Sequence, residues 1–243
     1  MTRTTRHLER TFWSVVRING RNFTAGNGSV PAVIHHLGPG AFHLAGYLSI
    51  DRQRAIVEQC RALIEGDVPA YVPVVRGGGR MHVRMLCLGR HWNGKTYAYE
   101  PTRSDFDGKP VPPLPEELAA LARDLAGAVD MSVEADLCIL NYYDADGRMG
   151  LHQDKDESAR SLAAGVPVVS LSLGDAARFL FGGTRRRDPI QALRLESGDG
   201  FVFGGPARLR YHGVSRILPG TAPPGLEISG RFNLTFRQYD LSG

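Results

Sequence analysis

His152 and Asp154 stand one residue apart in the stretch Gly150-Leu151-His152-Gln153-Asp154-Lys155-Asp156-Glu157. In an extended backbone, residues two apart point to the same face. One imidazole and one carboxylate can therefore grip one metal ion from the end of a single strand. A third ligand has to come from elsewhere. Tyr211-His212-Gly213, set between two strand-like runs, supplies a candidate in His212. Two histidines and one carboxylate on one side of an ion leave its other positions open, the donor set of non-heme Fe(II) oxygenases.

The run Arg231-Phe232-Asn233-Leu234-Thr235-Phe236-Arg237 adds a second chemical pattern. As a strand it turns Phe232, Leu234 and Phe236 to a core and Arg231, Asn233, Thr235 and Arg237 to the opposite face. Such a face can simply meet solvent. Beside a metal it reads as a pocket wall. Six residues span roughly 20 Å of strand, so arginines at its two ends can reach inward to opposite carboxylates of a small dicarboxylate. 2-Oxoglutarate meets that need: one end chelates iron, and the far end takes a bidentate arginine pair. A His-x-Asp triplet is common by itself. The polar strand with two arginines is what lifts the metal reading above that background.

These residues need elements to bring them together. From Asp136 onward the chain reads as almost all β, with strands expected over Leu137–Tyr143, Val166–Leu173, Phe179–Phe181, Leu193–Leu195, Phe201–Phe203 and Phe232–Phe236. No long helix interrupts them, so antiparallel pairing in a sandwich or barrel is expected. The gap between Asp154 and His212 has room for three or four short strands. Upstream, Ser49 to Glu65 reads as a helix, capped by Ser49 and stopped by Gly66, with Ile56, Val57, Cys60, Leu63 and Ile64 as its apolar stripe. Pro115 to Val129 reads as a second helix on the spacing of Leu118, Leu121, Leu125 and Val129. Ala32–Ile34 and Ala41–Leu44 read as short strands around Gly38-Pro39-Gly40. His35 and His36, adjacent on one of them, point to opposite faces and make a poor chelate, so these and His43 are read as structural.

Between the two helices, Gly77 to Cys87 and Trp92 to Tyr99 read as hairpin strands, with Asn93-Gly94 as a turn signal. Arg76, Arg80, Arg84 and Arg90 surround the aromatics Trp92, Tyr97 and Tyr99. Interleaved basic and aromatic residues can hold phosphates and stack bases, although an exposed sheet with ordinary strand aromatics looks the same. Composition points the same way. Of 29 basic residues only Lys95, Lys109 and Lys155 are lysine, and the net charge is +4. Arginine suits phosphates and stacked bases better than lysine does, but an arginine-rich proteome gives the same bias.

At 243 residues, 42% of them hydrophobic, the chain suits one domain with a proper core. Cys60, Cys87 and Cys138 are odd in number and far apart, so no disulfide framework follows, and a reducing, cytoplasmic setting is expected. No apolar run reaches about 18 residues, so no membrane span is predicted. Residues 1–28 are basic and nearly free of acids, and a poorly ordered tail is expected there.

Taken together, Asn141-x-Tyr143, Leu151 to Glu157, Val169-Ser170-Leu171-Ser172-Leu173-Gly174, Phe181-Gly182-Gly183, Tyr211-His212-Gly213 and Arg231 to Arg237 resemble the AlkB family of Fe(II)- and 2-oxoglutarate-dependent dioxygenases. The resemblance covers residues 30 to 238, is strongest from 136 on, and is greatest to the bacterial DNA-repair branch. It implies a mainly β protein with flanking helices, a double-stranded β-helix (jelly roll) with an N-terminal nucleotide-recognition lid. A single domain over 29–243 would carry that lid at about 70–105 and the jelly-roll core at about 136–239. It implies His152, Asp154 and His212 as iron ligands and Asn141, Tyr143, Arg231, Asn233 and Arg237 as the 2-oxoglutarate site. Trp92 would stack on a flipped base opposite His152, Tyr97 would meet the backbone or base edge, Asp156 would meet an exocyclic amine, and Tyr99 and Arg186 would belong to the substrate site. This reading favours base binding for the Trp92 hairpin.

The implied activity is oxidative demethylation of N-alkylated bases, of the 1-methyladenine and 3-methylcytosine type, in single- or double-stranded DNA, with RNA open as a second substrate. 2-Oxoglutarate and O₂ would become succinate and CO₂, and the methyl group would leave as formaldehyde. A monomer is expected. The rival readings are an Fe(II)/2-oxoglutarate hydroxylase of a protein or small molecule, which needs no Trp92 platform, and a non-enzymatic metal-binding jelly roll, which has no use for Arg231 and Arg237 on one inward face. The chain departs from the bacterial pattern at Phe203, where a tryptophan is usual, in a Trp92–Tyr97 connection shorter by two residues, and in residues 1–28, which have no counterpart.

Overall fold

The computed structural model describes residues 33–241. The expected N-terminal tail lies outside them. Among the described residues the α-helices are α1 (Ile50–Ile64), α2 (Glu116–Gly127) and α3 (Ala159–Ala164), with a short 3-10 helix at Gly205–Ala207. Thirteen strands make up the described sheets. The large sheet has seven, in the order β1 (Val33–His36), β2 (Ala41–Ala45), β11 (Gly200–Phe203), β8 (Val168–Gly174), β13 (Arg231–Arg237), β6 (Leu137–Tyr143) and β3 (Arg84–Leu88). The smaller sheet has four, in the order β10 (Gln191–Leu195), β9 (Ala176–Phe181), β12 (His212–Leu218) and β7 (Met149–His152). A separate hairpin pairs β4 (His91–Asn93) with β5 (Ala98–Glu100). Every ladder is antiparallel.

Side-chain alternation divides the large sheet into two different faces. Phe232, Leu234 and Phe236 of β13, with Leu140 of β6 and Leu171 of β8, pack outward against Ile56, Val57 and Cys60 of α1 and Leu118, Leu121 and Leu125 of α2. Burying a side chain of this kind is worth about 1.5–3 kcal/mol, so this layer is what fixes β13 in the sheet. The inward face meets the smaller sheet across an aromatic interior. Tyr143, Val168, Phe201 and Phe203 pack there against Phe179, Phe181, Leu193 and Val214. Two antiparallel sheets closed on such an interior form the expected jelly roll. β13 crosses between apolar and polar regimes: its inward residues are Arg231, Asn233, Thr235 and Arg237, and the core stops where they begin.

Both long helices fall where their apolar stripes place them. Ser49 caps α1 and accepts from the Arg52 amide, and Pro115 is the N-cap of α2 rather than a residue of its first turn. Several expectations need correction. β12, β7 and α3 were not among the expected elements. Gly77 to Val83 forms no strand; it runs through isolated bridges, Val74 to Arg80 and His82 to Arg148. Asn93-Gly94 is not a two-residue hairpin turn, since Asn93 pairs with Ala98 across a longer loop. The Asn93 carboxamide oxygen accepts from the amides of Lys95 and Thr96 at 2.8 and 3.2 Å, a local bond that competes with a tight turn. The 70–105 stretch is also tied to the body of the fold, because its β3 is the outermost strand beside β6.

Candidate active site

His152 ends β7 and His212 begins β12, and the two are register partners across the smaller sheet. Their rings lie 4.4 Å apart by centroid. Asp154, just beyond β7, turns back beneath both: His152 Nε2 lies 3.6 Å from its Oδ1 and His212 Nε2 3.5 Å from its Oδ2. The three ligand atoms are all within 4.8 Å of one another. Each imidazole is oriented through its other nitrogen. His152 Nδ1 donates to the Gly150 carbonyl at 2.9 Å, and His212 Nδ1 donates to the Arg210 carbonyl at 3.0 Å. Those bonds select the tautomer that leaves Nε2 free to ligate.

Gly213 makes this approach possible. A Cβ there would lie 2.7 Å from the Met149 carbonyl oxygen and 2.9 Å from that of Gly150. Backbone oxygens cannot swing aside as a side chain can, so a larger residue would push β12 away from β7.

The carboxylate is held by a buried charge cluster. Burial opposes ionisation of Asp154, but Arg237 and the two histidines more than offset it and hold the group well below the usual carboxylate range. Burial and its neighbour His152 pull the His212 imidazole down, toward the neutral, ligating form. Arg237 Nη2 lies 3.3 Å from Asp154 Oδ1, and its Nη1 donates to Glu157 Oε1 at 3.0 Å. Glu157 is shared: its Oε2 accepts from Arg208 Nη2 at 2.7 Å, and Arg208 also donates to the Asp154 carbonyl. Two carboxylates and two guanidiniums thus cancel, as buried charge requires.

Above the triad opens a cavity of about 550 Å³. Its walls include Asn141, Tyr143, Asn233 and Arg237 from the large sheet, Trp92 and Tyr97 from the hairpin, and Asp156 and Arg186 at the rim. Trp92 Nε1 donates to Asp156 Oδ2 at 2.7 Å, and the Tyr97 ring stands edge-on to Trp92 at 5.7 Å. Arg186 Nη1 donates to the Leu151 carbonyl at 2.9 Å.

The model of the 2OG-Fe(II) oxygenase superfamily matches residues 40–237. An AlkB homolog from Caulobacter vibrioides, an alpha-ketoglutarate-dependent dioxygenase, is 41% identical over 206 residues, 82% of this chain and 88% of that protein. The chain belongs to the AlkB family. The DNA N(6)-methyladenine demethylase ALKBH1C of Arabidopsis thaliana is 43% identical over 222 residues, 83% of this chain and 49% of that protein. The chain therefore spans about half the length of the plant relatives it matches. The solved structure of OsALKBH1 superposes with a TM-score of 0.79 at 40% identity, covering 84% of this chain and 99% of that one.

AlkB-family enzymes of this superfamily use Fe(II) and 2-oxoglutarate, and the residues present fit both. Asp154 Oδ2 is buried with no hydrogen-bond partner and sits beside the two free Nε2 atoms. For the co-substrate, the decisive residue is Arg231. It is 1% exposed, and its Nη atoms meet the Asp175 and Leu195 carbonyls and the Ser172 hydroxyl. Its Nε has no partner, and among the described residues no carboxylate pairs with it. Burial pulls its guanidinium down to about 10, and the nearby Tyr143, Asp199 and Asp175 offset that only in part. A carboxylate is the ligand that such a cation lacks. Asn141 Oδ1, two residues along β6 from Tyr143, is likewise buried without a partner.

The structure corrects four details of the site. Arg231 and Arg237 are placed differently: Arg237 lines the cavity and pairs with Asp154 and Glu157, while Arg231 is buried off the cavity wall and, among the described residues, pairs with no carboxylate. Tyr99 is not on the cavity wall. It is buried among Met85, Cys87, Leu137 and Ile139, and its hydroxyl accepts from Arg237 behind the site. Of the adjacent acids Asp156 and Glu157, only Asp156 lines the cavity; Glu157 is buried against Arg208 and Arg237. Arg208, which sequence reasoning missed, stands far from Asp154 in the chain and has no motif to reveal it. The expected Phe203 packs edge-on to His212 at 4.9 Å, and His43 is structural, paired with Asp199 at 2.8 Å.

Proposed function

We propose that this protein is an oxidative demethylase of N-alkylated bases in DNA, reversing the damage directly. Its relatives' names support the reaction class, and one observation favours a base as the substrate. Trp92 and Asp156 form a single hydrogen-bonded unit that presents a ring face and a carboxylate edge to the same cavity as the metal triad. A ring face stacks on any base, and an edge carboxylate favours a base that carries positive charge or an exocyclic amine.

The residues act in sequence along the cavity. Trp92 and the rim residues Tyr97 and Arg186 take the flipped base, within a recognition lid at about 70–105. Cationic 1-methyladenine and 3-methylcytosine pair poorly, so flipping them out costs less than flipping an intact base. Asn141, Tyr143, Asn233, Arg231 and Arg237 hold 2-oxoglutarate, with Arg231 on its far carboxylate. His152, Asp154 and His212 hold iron, and Arg237 keeps Asp154 ionised and in place. With Fe(II) and 2-oxoglutarate bound, the site supplies O₂-dependent hydroxylation of the N-methyl group, which then leaves as formaldehyde while the co-substrate becomes succinate and CO₂. RNA is a second substrate in this reading, and the protein acts as a monomer in the cytoplasm.

Stacking on an aromatic ring is worth about 1–3 kcal/mol per base. Trp92→Ala should weaken binding of methylated single-stranded DNA roughly ten- to a hundredfold, read by fluorescence anisotropy. It should leave 2-oxoglutarate turnover without DNA unchanged. Wild-type protein that binds neither methylated nor unmethylated oligonucleotide would point instead to a protein or small-molecule hydroxylase.

A further inference from the structure

The outward face of the four-stranded sheet carries a feature that the reaction does not use. Arg178 on β9 is the register partner of Arg194 on β10 and also of Arg216 on β12. All three side chains are exposed, on the face opposite the buried Ala177, Phe179 and Phe181. Adjacent strands lie about 4.8 Å apart, so these arginines form one row across three strands. Like charges directly opposite one another destabilise a sheet. Among the described residues a single carboxylate meets the row: Glu196, which accepts from Arg194 Nε at 2.7 Å. Arg178 and Arg216 have no acidic partner there.

The row is connected to the cavity by its own strand. From Arg178, β9 runs four residues, about 13 Å, to Gly182. There the loop 182–190 carries Arg185, Arg186 and Arg187, all exposed. Arg186 lines the cavity, Arg185 makes a loose contact with Asp188 at 3.7 Å, and Arg187 has no ion pair among the described residues. Positive charge thus continues from the cavity rim onto the outside of the smaller sheet. Phosphates of one strand of B-form DNA recur about every 3.4 Å along the axis, so the 13 Å path has the length of about four nucleotides.

We propose that the Arg178–Arg194–Arg216 row binds the phosphate backbone of the nucleic acid that runs away from the cavity, with the 185–187 loop as the link. The inference rests on the nucleic-acid reading above. The occupant follows from charge: three arginines stand side by side on this face, and among the described residues only Arg194 has an acidic partner, Glu196. The row sets affinity for long substrates without reading sequence, since phosphate contacts position and base contacts specify.

The test is the double variant Arg178→Ala/Arg216→Ala, compared with wild type by anisotropy over a series of salt concentrations. Two probes are used: a long methylated single-stranded oligonucleotide, and a short one that fills only the cavity. Each phosphate contact on a single strand contributes about 0.7 to the slope of log K against log salt. The double variant should therefore lose about 1.4 from that slope with the long probe and nothing with the short one. Its melting temperature should be equal to or above that of wild type, because like charges have been removed from opposite positions. An unchanged slope with the long probe, in a variant that binds the short probe normally, overturns the row while leaving the demethylase reading intact. Wild type that binds neither probe overturns both.

Discussion

Arg231 carries the co-substrate assignment at the scale of single residues, because among the described arginines it combines deep burial with no carboxylate pair. Arg231→Ala should raise KM for 2-oxoglutarate by about two orders of magnitude, since losing one member of a buried, hydrogen-bonded charge pair costs on the order of 2–5 kcal/mol. Arg231→Lys should recover little of this, because lysine lacks the fork that meets a carboxylate at two points. An unchanged KM in both variants would place 2-oxoglutarate elsewhere. Asp156 gives a second prediction. Asp156→Asn keeps an acceptor for Trp92 Nε1 but removes the charge. A hydrogen bond to a charged group is worth about 1.5–3 kcal/mol against about 1 for a neutral one. Turnover of cationic 1-methyladenine should then fall several-fold relative to neutral N6-methyladenine, and equal losses on the two bases would remove Asp156 from base recognition. His152 and Asp154 were legible because two-residue spacing at a strand end brings their side chains together, although β7 stops at His152 and Asp154 reaches the site from the turn beyond it. Tyr99 was misplaced because its position depends on Arg237, a partner that only the fold brings to it.

At the scale of elements, the site depends on how closely β12 lies against β7. Gly213→Ala should leave the helices and the aromatic interior folded, yet weaken metal binding at least tenfold, because the added methyl meets the backbone oxygens of Met149 and Gly150. Titration with Co(II), followed by its visible spectrum, would read this directly beside a circular dichroism control. Metal affinity equal to wild type would show that the strands can part without moving the ligands. The strands of the large sheet were readable from their long alternating or apolar runs, and α1 and α2 from their stripes. β12 was not, since Gly213 and the bulge between Val214 and Arg216 break its alternation. The hairpin turn was misread because the Asn93 side chain caps a longer loop, and that choice depends on a hydrogen bond that the dipeptide Asn-Gly does not reveal.

At the scale of the whole molecule, one sheet is apolar outward, against helices, and inward turns from an aromatic interior to the polar residues of β13 beside the metal site. The other is apolar inward and arginine-bearing outward. That arrangement explains why composition alone was ambiguous: the arginines that hold buried carboxylates and those that face solvent are indistinguishable in a count. It also joins the chemistry to the substrate, since the cavity is bounded by the triad on one side and by the Trp92 hairpin on another. Removing the metal should therefore stop turnover without unfolding the chain. His212→Ala is expected to lose iron and activity while keeping its circular dichroism spectrum, because an open mononuclear site is functional rather than structural. The most direct measurement is the product balance on an oligonucleotide carrying one 1-methyladenine, with Fe(II), O₂ and 2-oxoglutarate. Formaldehyde and succinate should appear in equal amounts, both should require 2-oxoglutarate, and both should vanish in His212→Ala. Succinate formed at the same rate with and without the oligonucleotide, with no formaldehyde, would contradict the assignment of a methylated base as the substrate.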